Sequence, residues 1–164
     1  MKHLLSVPRI AAMTLVFAAS AVVAANAHFV RGPDASIDTR TANVTVTWKE
    51  AGLGANVLVE YVASADCTAR YQCVNRGGNC PAASNKQSVQ GPVSASGFIS
   101  SGKNGSINGS LTFEPPAGTL ICPGNQVLKL VSASFTGIAL EDVTNGLTAT
   151  ASPTNLSMSG PECP

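Results

Sequence analysis

Residues 41–48, "TANVTVTW", put Val44, Val46 and Trp48 on one side of an extended chain and Thr45 and Thr47 on the other. A side-chain period of two is the mark of a half-buried β-strand. Similar strand-like stretches follow at 56–63, 68–74, 87–93, 95–100, 106–113, 126–135, 137–143 and 147–152. The breaks between them are turn chemistry: "KEAGLGA", "SGKNG", "EPPAGTLICPGN", "TNG" and the long loop 75–86. No window holds a helical period over ten or more residues, and the Gly, Ser, Thr, Asn and Pro content disfavours helix. The pattern predicts an all-β, single-domain antiparallel β-sandwich of the immunoglobulin-like kind. Its expected core is Val44, Val46, Trp48, Val57, Val59, Tyr61, Val74, Phe98, Leu111, Phe113, Leu128, Leu130 and Phe135.

The first 27 residues read differently. Lys2 and Arg9 precede an apolar run from Ile10 to Ala25, and "ANA" at 25–27 offers the small residues a signal peptidase reads. The run is short for a membrane span, which needs about 20 residues. The expectation is a cleaved signal peptide (1–27), a β-sandwich domain (28–152) and a loosely ordered C-terminal tail (153–164). Removing 27 of the 164 residues leaves 137, enough for one domain. Losing Lys2 and Arg9 takes Lys plus Arg from 10 to 8 against 9 Asp plus Glu, close to one net negative charge. With no basic or acidic run, nucleic acid and anionic membrane are poor partners. The predicted product has no transmembrane span and is secreted, periplasmic or at the cell surface.

Five cysteines, Cys67, Cys73, Cys80, Cys122 and Cys163, all fall after the apolar run. In an oxidising compartment they read as disulfides. Zinc wants closely paired ligands, and there is no Cys-x-x-Cys here. An odd count leaves one thiol unpaired or bonded to another chain. Five choices of odd cysteine and three pairings of the rest give 15 arrangements, which spacing does not separate. Four Asn-x-Ser/Thr triplets begin at Asn43, Asn104, Asn108 and Asn155. They are glycan acceptors in a eukaryote and otherwise reflect a Ser/Thr/Asn-rich β composition.

The strings "AGLG" (51–54), "CVNRGGNCPAASNK" (73–86), "SGKNG" (101–105) and "CP" (122–123) resemble those of a group of small exported bacterial proteins with no assigned function. The resemblance spans roughly 28–150 and implies a signal peptide and an exported all-β domain, with no chemistry attached. It also implies a Cys73–Cys122 bridge. Cys67–Cys80 is then the expected second bridge, closing the base of the 75–86 loop and leaving Cys163 unpaired; Cys80–Cys163 is its rival.

Catalytic and metal constellations are sparse. Cleavage after Ala27 makes His28 the N-terminal residue, and an N-terminal histidine with a second histidine is a copper-binding arrangement seen in lytic polysaccharide monooxygenases. His28 is the only histidine left after cleavage, so a copper site there would have to recruit Met158, a carboxylate or a backbone amide. A Ser-His-Asp triad or a Cys-His pair lacks an internal histidine. "SSGK" (100–103) matches Ser-x-x-Lys, but in a Gly-rich turn rather than on a helix. Among the acids Glu60 is odd, mid-strand between Leu58 and Val62; an edge position or an ion pair with Lys129 or Arg70 accounts for it. "EDVTNG" lacks the dense oxygen spacing of a calcium loop.

The 75–86 loop is the best candidate binding surface, through Asn75, Arg76, Asn79, Asn85 and Lys86, since long polar loops on rigid scaffolds carry recognition. The same residues also build turns. The functional expectation is an exported, non-catalytic binding or structural protein without cofactor, whose partner is an extracellular protein or glycan. The odd cysteine offers an intermolecular disulfide. The alternatives are a copper-dependent oxidative protein using His28 and an inhibitor of an exported hydrolase acting through the 75–86 loop.

Overall fold

A computed structural model describes residues 26–164. The expected signal peptide therefore lies, apart from Asn26 and Ala27, outside the described residues. Eight strands and no helix occur among the described residues: β1 (His28–Ile37), β2 (Val44–Ala51), β3 (Leu58–Val74), β4 (Lys86–Ser100), β5 (Ile107–Phe113), β6 (Val127–Asp142), β7 (Leu147–Thr150) and β8 (Leu156–Ser159). They form two sheets, β1-β2-β5 and β4-β3-β6-β7, with β8 pairing β6 beyond the end of β7. All strand pairs are antiparallel. The chain changes sheet after β2, β4 and β5, which gives the expected β-sandwich.

The alternation of β2 holds: Val44, Val46, Trp48 and Glu50 point inward and are buried. On β3 the buried series is Val59, Tyr61, Ala63, Ala65, Cys67 and Ala69. The small residues at its middle are as buried as the larger ones before them, and 56–63 and 68–74 are not two strands. The polar stretch between them alternates like its flanks, and 17 residues run as one strand. Likewise 87–93 and 95–100 merge into β4, and 126–135 and 137–143 into β6. At Gly137 (φ +66°) the register against β3 slips between Ser64 and Asp66, so a bulge stands where a chain break was expected. β1, absent from the expected strands, covers one edge of β2 and carries two register shifts of its own.

Two expected core residues are outside. Phe98 is 65% exposed and Val57 37% exposed. Phe98 lies opposite Glu60, and directly opposite residues share a face, so both stand on the outer side of the five-stranded sheet. Leu111 and Leu130 only partly enter the core, while Leu53, Ile107, Ile138 and Leu140 are fully inside it.

The tail also differs from expectation. Leu156–Ser159 pairs with Ser132–Phe135, and Cys163 is buried and disulfide-bonded. The ladder and the bridge fix a segment that composition alone marks as loose.

Candidate functional site

The far end of β3 outruns the three-stranded sheet, and two irregular segments cover it. On the inner side, Tyr71 Oη donates to the Pro116 carbonyl at 2.7 Å, and Cys73 bonds Cys122 with Cα atoms 5.5 Å apart. On the outer side, Gln72 Oε1 accepts from Cys163 N at 2.8 Å while its Nε2 donates to the Pro161 carbonyl at 3.2 Å. Cys163 bonds Cys80 in the 75–86 loop. The Cys73–Cys122 bridge is the one the resemblance implied. Cys67–Cys80 does not form, and Cys163 is not the odd cysteine. Cys67 sits on the inner face of β3 at 1% exposure and is free. Burial pushes its thiol up to about 11, so it is neutral and enclosed: the odd cysteine is the unpaired thiol and is unsuited to an intermolecular bridge.

These bridges frame the candidate loop. Asn75, Arg76, Asn79, Asn85 and Lys86 are all exposed. Asn75 N donates to Asn79 O at 2.9 Å and Gly78 N to Asn75 O at 2.8 Å, with Gly77 and Gly78 at positive φ. Ser84 Oγ donates to the Cys73 carbonyl. The five residues do not act as one cluster. Lys86 shares Glu162 with Arg70, at 3.6 and 3.1 Å, whereas Arg76 and Asn79 stand at the loop tip. Arg70 thus pairs with Glu162 and not with Glu60, which is half-buried on the outer face.

His28 opens β1 with an exposed ring whose Nδ1 lies 2.7 Å from the Asn26 carbonyl. Met158 packs against the core. Among the described residues no three His, Cys, Asp or Glu side chains gather as a metal site. Ser101, inside "SSGK", is buried; its Oγ donates to the Gly54 carbonyl and accepts from Val57 N, a turn-building role. Asp142 of "EDVTNG" likewise closes a turn, accepting from Asn145 N at 2.9 Å and from its Nδ2. Asn104 and Asn155 also bond within turns and bulges, to Ser106 Oγ and Gly137 N.

A second feature escaped the sequence reading. Glu50, on β2, and Asp142, at the end of β6, are both 0% exposed. Tyr61, the direct β-partner of Asp142, donates from Oη to Glu50 Oε2 at 2.8 Å. Among the described residues neither Glu50 Oε1 nor Trp48 Nε1 has a hydrogen-bond partner. Burial, reinforced by the Asp142 carboxyl, pushes Glu50 up to about 7, against the opposing pull of the Tyr61 hydroxyl and His28. Burial and the Glu50 carboxyl also push the Tyr61 phenol above its usual range. The pair resembles an acid–base couple in its chemistry but is closed to substrate.

A third feature is open. A cleft of about 570 Å³ on the three-stranded sheet is lined by Arg31, Thr47, Trp48, Lys49, Asn108 and Gly109, with Val30 at its side. Arg31 lies directly opposite Lys49, and Lys49 directly opposite Asn108. No protein-family model matches the chain, and the comparison with curated proteins found no match.

Proposed function

We propose that this chain is an exported, non-catalytic binding module that presents the 75–86 loop from a disulfide-clamped end of a β-sandwich. One observation carries the reading. The loop is tied at its base by Cys73–Cys122 and along its length by Cys80–Cys163, while Arg76 and Asn79 remain exposed. Holding a loop in one conformation before binding lowers the entropy cost of recognition. Two disulfides suit an oxidising compartment. The start of β1 at His28, directly after the expected cleavage point, supports export. The resemblance to small exported bacterial proteins agrees with this reading. The buried positions of Glu50 and Asp142 argue against a paired-carboxylate hydrolase.

The test is a cross-linking capture from the culture supernatant with the secreted protein as bait. The same bait carrying Arg76→Glu and Asn79→Ala serves as comparison. A partner captured by the first and lost by the second supports the reading; identical capture by both overturns the role of the loop. The same clamped loop also suits an inhibitor of an exported hydrolase, in which case the captured partner is a hydrolase whose activity falls on binding.

A further inference from the structure

The cleft on the three-stranded sheet carries an inference beyond that loop. Its lining holds two cations and no acid. Arg31 and Lys49 face each other across the β1–β2 ladder, an arrangement in which like charges repel. Neither is in a salt bridge among the described residues, whose ion pairs are Arg70–Glu162 and Lys86–Glu162. The backbone is shaped around this rung: the register of β1 shifts on both sides of Arg31. Such bulges re-aim side chains and are common beside functional sites. On the other side of Lys49, Asn108 continues the rung with an amide, and Thr47 adds a hydroxyl. Cations, an amide and a hydroxyl therefore border one recess, with the exposed Val30 beside them.

We propose that this cleft binds a carboxylate-bearing saccharide. Arg31 takes the carboxylate through its planar fork, and Lys49 adds a second charge. Asn108 and Thr47 meet ring hydroxyls. Val30, an exposed apolar side chain at the edge of the recess, supplies contact for the C–H face of a sugar ring. At about 570 Å³ the recess falls in the range of roughly 300–1,000 Å³ that accommodates small organic ligands, and exceeds the needs of a bare oxyanion. Bound carboxylate also offsets the Arg31–Lys49 repulsion, which gives the like-charged rung a reason.

The test is calorimetric titration of the secreted protein with trigalacturonate, galactotriose, inorganic phosphate and tetraglutamate. Trp48 fluorescence is a second readout, since it is the only tryptophan in the chain. Trigalacturonate is expected to bind at least about tenfold more tightly than each of the other three, and more weakly as salt rises. Arg31→Gln and Lys49→Gln should each weaken it about tenfold or more, the loss of one charge-assisted contact, while Lys129→Gln on β6 of the other sheet leaves it unchanged. Lys49→Gln should melt no lower than the parent at low salt, because it removes a repulsion. Loss of binding is then distinguishable from loss of fold. Equal affinity for galactotriose, phosphate or tetraglutamate, wild-type binding by both cleft variants, or no response to trigalacturonate overturns the proposal.

Discussion

Tyr61 Oη donates to Glu50 Oε2 at 2.8 Å, joining β3 of one sheet to β2 of the other inside the core. The two residues anchor a polar cluster in an otherwise apolar interior. The Trp48 ring lies 4.7 Å from that of Tyr61, and Asp142 is the β-partner of Tyr61. An ionised carboxylate with an unpartnered oxygen is costly at such depth. The cost is relieved when Glu50 carries a proton.

Stability should therefore fall as pH rises through neutrality. Glu50 is pushed up to about 7 from an ordinary value of 4.5. Between those values the folded chain holds a proton that the unfolded chain has released. Stability from this group is greatest below about pH 4.5 and is lost as pH rises through 7, by about 3 kcal/mol across the window. Asp38 works in the opposite sense at lower pH, since the Arg40 amide at 2.8 Å holds its carboxyl below the usual range. Urea denaturation at pH 5 and pH 8 avoids that region. The wild type should be more stable at pH 5, and Glu50→Gln should flatten the difference.

Tyr61→Phe removes the hydroxyl and leaves Glu50 without its donor. A buried acceptor left unsatisfied costs about 1–3 kcal/mol. The penalty should be larger at pH 8 than at pH 5, because the ionised carboxylate depends on the donor more than the protonated one. Equal penalties at both values would show that the hydroxyl contributes packing and little else.

The cysteine arrangement predicts a labelling pattern. Native protein should resist iodoacetamide, and denaturation without reductant should expose one reactive thiol, Cys67. Cys67→Ala should abolish that label. Cys163→Ser should cost about 2–4 kcal/mol through loss of the bridge to Cys80. It should also make the native protein reactive at Cys80, which is exposed.

The sheets were legible because alternation is a local signal: Val44, Val46 and Trp48 declare their face within five residues. Strand continuity was not. Ala63, Ala65 and Cys67 are too small to advertise a buried face, and only the packing of the two sheets makes them core. Phe98 misled in the other direction, since hydrophobicity says nothing about parity until Glu60 is placed across from it. Loop exposure at Arg76 and Asn79 followed from composition. The cleft did not, because Arg31, Lys49 and Asn108 come from three strands whose register only the fold sets. Cys80–Cys163 joins positions 83 apart, and nothing local marks that distance. The Glu50–Asp142 cluster was hidden too: at Glu50 the alternation of β2 points inward, and a carboxylate there reads as the end of the strand.

Gly109 should be intolerant of any side chain. It pairs with Trp48 across β2 and β5, and a Cβ at Gly109 would lie 2.2 Å from the indole. The obstacle is a rigid aromatic, 3% exposed and packed against Tyr61, with little room to shift. Overpacking of this kind costs about 1–3 kcal/mol or more. Gly109→Ala should lower the urea midpoint and alter Trp48 emission in the folded state. Gly91→Ala, on the edge strand β4 with no neighbour within 4 Å of its would-be Cβ, should leave the Trp48 spectrum unchanged. Trp48→Phe should partly rescue Gly109→Ala, because the smaller ring frees the space that the added methyl needs. Full additivity of the two changes would rule out the contact as the cause.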